Sequence, residues 1–249
     1  MNILGGRRQK SRAARRLREL LEENRALQAL EDSDPEFRTR LRTLQAWQCR
    51  RLEYTHADMS ANPRYAPGVR FFIEDLYAPR DFSDRDTEIE QALPYMTRLL
   101  PESVLETATT AMQLYVLSRE LDRNMVRALF VDQGVTEIEP SSYAEAYRIC
   151  AQFRERREQI RLIGELAGRL EHYVRSRFLI ATLRMARGPA ALAGLGDLQS
   201  FLERGCSAFH HMGGSEHFVH TTVSRELHIL ERIEQGAAEP FEAPDEPLA

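Results

Sequence analysis

Five of the seven histidines fall between residues 210 and 228: His210, His211, His217, His220 and His228. His217 and His220 are neighbours on one helical face, and His228 returns close to that face. Imidazoles at this spacing can bind zinc or iron. The rest of such a site is missing. There is no His-Glu-x-x-His, and Glu53-Tyr54-Thr55-His56 stands alone where a di-iron bundle needs two Glu-x-x-His pairs and two further glutamates. No metal and no cofactor is expected. On the same helix Glu226 falls inside the apolar stripe of Val219, Val223, Leu227, Leu230 and Ile233, with His217 and His228 on the opposite side. A buried glutamate either pairs with an arginine or carries a raised pKa and serves as an acid or base.

The most distinctive stretch is Arg70-Phe71-Phe72-Ile73-Glu74-Asp75-Leu76-Tyr77. At about 100° per residue, Val69, Phe72, Ile73, Leu76 and Tyr77 share a face, and Phe71 points the other way. A short helix with aromatics on both sides is expected to be wedged between neighbours. Its acids then need partners, since burying an unpaired carboxylate is expensive. Arginines are close by at Arg64, Arg70 and Arg85, and Asp81 and Asp86 add alternating charge. Two readings stand. The residues form an ion-pair network that fixes a loop, or Arg64, Arg70, Glu74, Asp75, Tyr77, Asp81, Arg85 and Asp86 line a pocket for a protein partner or a small charged ligand.

Residues 7–18 hold seven positive charges and no acid, a third candidate site that could touch nucleic acid or an acidic membrane surface. The chain as a whole argues against a dedicated nucleic-acid binder, because its net charge is −4. Lys10 is the one lysine among 34 basic residues, a bias that arginine-rich codon usage explains as well as bidentate pairing does. Phosphate loops, dinucleotide fingerprints and nucleophile elbows are absent. These absences favour binding over catalysis.

The elements that must position these groups are helices. Helical periodicity dominates the 249 residues, of which 43% are hydrophobic and 29% charged. Residues 8–31 read as a first helix. Ser33-Asp34-Pro35-Glu36 starts a second, running to about Ala57. A short helix spans about Gly68 to Tyr77, and Arg85 to Leu100 is helical with Pro94 inside. Pro101 opens the next helix, with Leu105, Ala108, Met112 and Tyr115 on its buried stripe. A long region from Ser142 to Arg187 follows. Asp197 is expected to cap a helix to His211, and Ser215 the last one, Glu216 to Gln235. The expected fold is all-α, a multi-helix bundle of about eight to ten helices kinked at prolines. Residues 1–235 are expected to form one domain with a basic N-terminal helical arm (about 1–31). Residues 236–249, acidic and proline-rich, are expected to be a disordered tail. No apolar run reaches the length of a membrane helix. The three cysteines form no framework and no signal segment is read at the N-terminus, so a cytoplasmic location is expected.

The stretch from Tyr54 to Leu129 resembles the bacterial FFLEELY-motif proteins. The matching residues are Pro63-Arg64-Tyr65, Arg70 to Tyr77, Asp81-Phe82-Ser83, Arg85-Asp86, Pro94, Met96, Arg98 and Leu100-Pro101. Ile73 and Asp75 replace leucine and glutamate of the motif and keep its chemistry. The likeness extends to Arg225-Glu226. It implies an intracellular bacterial protein and supplies no reaction, cofactor or catalytic residue.

Overall fold

A computed structural model describes residues 3–77, 83–99, 101–174 and 177–242, without the side chains of 3–11, 76–77, 83–86, 98–99 and 177–179. Among the described residues there are twelve α-helices, nine of them seven residues or longer, and no strand. They are α1 (Ile3–Asp32), α2 (Pro35–Thr55), α3 (Ala57–Ala61), α4 (Ala66–Phe71), α5 (Ser83–Leu99), α6 (Glu102–Arg127), α7 (Pro140–Cys150), α8 (Phe153–Val174), α9 (Arg177–Met185), α10 (Arg187–Leu192), α11 (Gly196–Met212) and α12 (Glu216–Glu234). Two π-helical segments, Phe72–Tyr77 and Ala128–Asp132, continue α4 and α6. No described helix is long and apolar enough to cross a membrane.

The helix ends follow local chemistry. Asp34 accepts from the Phe37 N–H at 2.9 Å, and Pro35 fills the first turn of α2. α5 runs unbroken through Pro94. The long helical region expected from Ser142 to Arg187 holds α7, α8 and α9. Its first break is at Ala151, which takes the left-handed conformation (φ 53°) that usually announces itself as glycine. Two expected caps are corrected. The α11 amides of Asp197 and Leu198 donate to Glu88 of α5 rather than to Asp197's own side chain. Ser215 donates to Glu171 at 2.6 Å and does not cap α12 with its hydroxyl.

α6 is the central rod. α1 lies along it in the same direction: Leu17, Leu20 and Leu21 bury against Met112 and Val116, and Arg119 reaches Asn24 and Glu31. The N-terminal helix is thus part of the packed core over much of its length. α8 runs antiparallel to α6, with Tyr173 opposite Thr107 and Gln159 donating to Ser118 at 2.8 Å. A second cluster, around Trp47, joins α2, the end of α6, α7 and α12. Phe241 belongs to it at 7% exposure. The tail expected to be disordered from Gly236 therefore has a docked stretch. Arg232 donates to the Glu239 carbonyl, and the Phe241 ring sits 5.7 Å from Trp47 and 5.9 Å from Tyr143. One aromatic anchor overrides an otherwise solvating composition.

The segment around Phe71 is wedged as expected: Val69, Phe72 and Ile73 pack into one cluster with Phe209, Met212 and Phe218, and Phe71 turns the other way. Phe71 is buried against Phe201 and Gly205, while Phe72 and Ile73 are half-buried. A Cβ on Gly205 would meet the Phe71 ring at 2.8 Å. Gly205→Ala should therefore cost about 1–3 kcal/mol by overpacking. Urea denaturation checks this, and an unchanged midpoint would mean the ring has room to move.

Candidate binding site

Glu226 of α12 is 16% exposed and accepts from Arg51 Nη1 at 2.5 Å and from His56 Nε2 at 3.1 Å. The next residue back, Arg225, is 5% exposed. It clamps Asp58 with two hydrogen bonds of 2.8 and 3.0 Å and donates to the Thr55 carbonyl, a helix-end acceptor that α2 itself cannot satisfy. Arg225 Nη1 also lies 3.3 Å from His56 Nδ1, so the His56 ring bridges the two ion pairs. Burial pushes the Glu226 carboxyl up, but the charge of Arg51 and the His56 hydrogen bond outweigh it and hold the group well below the usual range. Of the two readings of Glu226, the arginine pair is the one observed. The acid or base with a raised pKa is not.

This knot continues into a polar belt built at helical spacing from five helices. α2 gives Gln48 and Arg51, α6 gives Ser118 and Asp122, α7 gives Tyr143 and Tyr147, α8 gives Arg156 and Gln159, and α12 gives Glu226. Gln48 Nε2 donates to Asp122 at 3.0 Å and Tyr143 at 3.4 Å. Tyr143 and Tyr147 share a hydroxyl contact of 3.3 Å. Arg156 stacks over Tyr147 at 4.5 Å and donates to Gln159. Burial raises the pKa of Asp122, with Arg156 and Gln48 pulling the other way, and burial takes the Tyr143 phenol well above its ordinary range. Two polar atoms of the belt are buried and have no partner among the described residues: Gln48 Oε1 and Arg51 Nε.

The belt faces a cavity of about 760 Å³, a size typical of small-molecule sites. The wall changes character along the bundle. On α6 it runs from Val104, Ala108, Ala111 and Met112 to Ser118 and Asp122. On antiparallel α8 it runs from Leu170, Leu166 and Ile163 to Gln159 and Arg156. The apolar stretch of α6, Val104 to Met112, covers roughly 12 Å at 1.5 Å per residue, and Ile229, Leu230, Ile233 and Phe241 add apolar wall beside the belt.

The sequence-predicted residues scatter around this chamber. Val69, Phe71, Phe72 and Ile73 line it, so the segment of residues 64–86 contributes apolar and aromatic wall. Its described charges are engaged elsewhere or exposed. Arg64 donates to the carbonyls of Met212 and Gly214 at the end of α11. Asp75 is buried and paired with Arg204 at 2.7 Å. Arg70 and Glu74 are exposed. Asp81 and the side chains of Tyr77, Arg85 and Asp86 lie outside the described residues. No group of three or more metal-binding side chains occurs among the described residues. Of the C-terminal histidines, His210 and His211 contact the carbonyls of Val174 and Pro63, while His217, His220 and His228 are exposed. In the basic stretch of residues 7–18, Arg12, Arg15 and Arg18 are exposed, and Arg16 pairs with Glu19 and Glu23. Burial raises all three cysteine thiols, Cys49 to about 11, so none is a reactive thiolate.

Sequence reasoning found Glu226, noted His56 only as part of a lone Glu-x-x-His, and missed Gln48, Arg51, Asp122, Tyr143, Tyr147, Arg156 and Gln159. The readable signal was polar residues recurring on an apolar face, as Gln48, Arg51 and Thr55 do after Leu41 and Leu44. Residues 27–240 match a family model described as Domain of unknown function (DUF8198). No curated protein and no solved structure matches the chain.

Proposed function

We propose, for a chain that belongs to the DUF8198 family, that it works as a binding module and takes a small molecule into the cavity at the centre of its bundle. One observation carries the reading: a chamber of about 760 Å³ in which an extensive apolar wall meets the polar belt of Gln48, Ser118, Asp122, Tyr147, Arg156 and Gln159, the mix of apolar lining and a few convergent polar groups typical of small-molecule sites. The FFLEELY-like stretch then serves as the aromatic wall, with Phe71, Phe72 and Ile73 toward the ligand. That likeness and three inert thiols support a bacterial, cytoplasmic setting.

A second reading has one observation in its favour. Asp122 and Glu226 have pKa values pushed in opposite directions, the pattern expected of an acid–base pair. In that reading Asp122 transfers the proton, and the C-terminal histidines take no part.

Native mass spectrometry of the full, untagged chain from its own type of host tests the proposal. The expected result is an added organic mass at unit stoichiometry that disappears in Ala111→Phe, where a ring projects into the cavity from α6. A bare protein mass, or an added mass that Ala111→Phe retains, would overturn it.

A further inference from the structure

We infer that the outward face of α1, over residues 7–18, is a docking surface for the phosphate backbone of double-stranded DNA, a role that does not depend on the cavity. The first observation is how charge is divided along the chain. Seven of the 34 basic residues and none of the 38 acids fall in residues 1–18. The rest of the chain therefore carries −11, against −4 for the whole. A cationic end on an acidic protein draws a polyanion to one place and repels it elsewhere.

The second is that the charge is uncommitted. Arg12, Arg15 and Arg18 are exposed and hold no ion pair among the described residues. Their neighbours are engaged: Arg16 with Glu19 and Glu23, Arg25 with Glu90, and Glu106 of α6 with Arg169. At 100° per residue, Arg12, Arg15 and Arg18 fan over about 120° of the helix circumference, with position 8 inside that arc and position 7 at its edge. The guanidinium fork matches phosphate oxygens two at a time.

The third is what the face lacks, which selects among polyanions. A helix that lies on a membrane buries an apolar face among the acyl chains. The apolar face of α1 is already occupied, since Leu17, Leu20 and Leu21 are 1–3% exposed and pack on Met112 and Val116. Single-stranded nucleic acid is held by stacking its bases on aromatic rings, and no aromatic residue precedes Phe37. A duplex needs neither. A helix about 10–12 Å across suits the B-form major groove of about 12 Å and not the narrow, deep groove of duplex RNA. The arginine fan then faces the phosphates that flank the groove.

The test is fluorescence anisotropy of a labelled duplex of about 20 base pairs, titrated with the full, untagged chain in KCl from about 50 to 200 mM. Three neutralised phosphates give a log–log salt slope of about −2.7 or steeper, so affinity should fall about 40-fold or more over that range. Replacing Arg12, Arg15 and Arg18 together by glutamine should flatten the slope by about 2.7 and leave the urea midpoint unchanged, because all three are exposed. Replacing the same three by lysine should keep the slope, since each lysine retains the charge. Ala111→Phe should leave DNA binding unchanged. Absence of binding, a slope near zero, or a slope that the glutamine variant retains would overturn the proposal. Equal or tighter binding of oligothymidylate or of duplex RNA of the same length would overturn the choice of duplex DNA. Sedimentation with phosphatidylserine vesicles, stronger than DNA binding and lost in the glutamine variant, would assign the face to a membrane instead.

Discussion

Glu226→Gln should lower the unfolding free energy by about 3–5 kcal/mol at pH 7, the usual cost of leaving one buried charge without its partner. The glutamine oxygen can still accept from Arg51 and His56, so shape and hydrogen bonds are nearly kept. What is lost is the negative charge beside a guanidinium that is 10% exposed. The effect has a pH signature. The Glu226 carboxyl titrates at about 2 in the folded chain, against about 4.3 when unfolded. A depressed carboxylate stabilises above its unfolded pKa, and that contribution is lost as pH falls through the folded value. The gap between wild type and variant should be constant above about pH 5 and close toward pH 2. Urea denaturation at several pH values measures it. A difference below about 1 kcal/mol at pH 7 would mean that the pair is solvated. Replacing both partners, as Arg51→Met with Glu226→Leu, should recover most of the loss, since no unpaired charge remains.

Phe241→Ala is expected to cost about 3 kcal/mol, the low end for a phenylalanine deletion. The ring is 7% exposed and meets Trp47 and Tyr143 edge-on. The cost stays at the low end because the stretch near the C-terminus can release as a unit. The release should be visible directly. Trp47, 8% exposed, would meet water, and its emission should shift to longer wavelength in the folded variant. Unchanged emission together with a loss under about 1 kcal/mol would show that the anchor contributes little.

Both residues illustrate what the sequence could reveal. The helices were legible because apolar periodicity and start signals such as Asp34-Pro35 are local. The break at Ala151 was not, because an alanine there carries no glycine signal. The stripe of α12 is also offset from the expected one. Thr221, Arg225 and Ile229 are buried, and an arginine is not an apolar signal. Glu226 stood out as an acid among hydrophobes. Its partner did not, because Arg51 sits among several arginines on α2, and only the fold selects the one turned inward. The segment of residues 64–86 was recognised by its aromatics and charges together. Its aromatics line the cavity, while Arg64 and Asp75 are engaged with the end of α11 and with Arg204. Composition cannot separate those duties. Phe241 was hidden for the opposite reason, since one anchor among acids and prolines leaves the average of the stretch unchanged.

The docking of Phe241 on Trp47 also bears on how the chain is made. Phe241 leaves the ribosome about 190 residues after Trp47. Glu226 and Arg225, the partners of Arg51, His56 and Asp58, emerge nearly as late. During synthesis α1, α2 and α6 can collapse together, because Leu17, Leu20 and Leu21 have Met112 and Val116 available. The Trp47 cluster and the cationic side chains beside the chamber stay uncovered until α12 arrives. Until then the nascent chain presents a half-built, arginine-lined cleft, so this protein should lean on chaperones during translation more than one whose core closes between neighbouring helices.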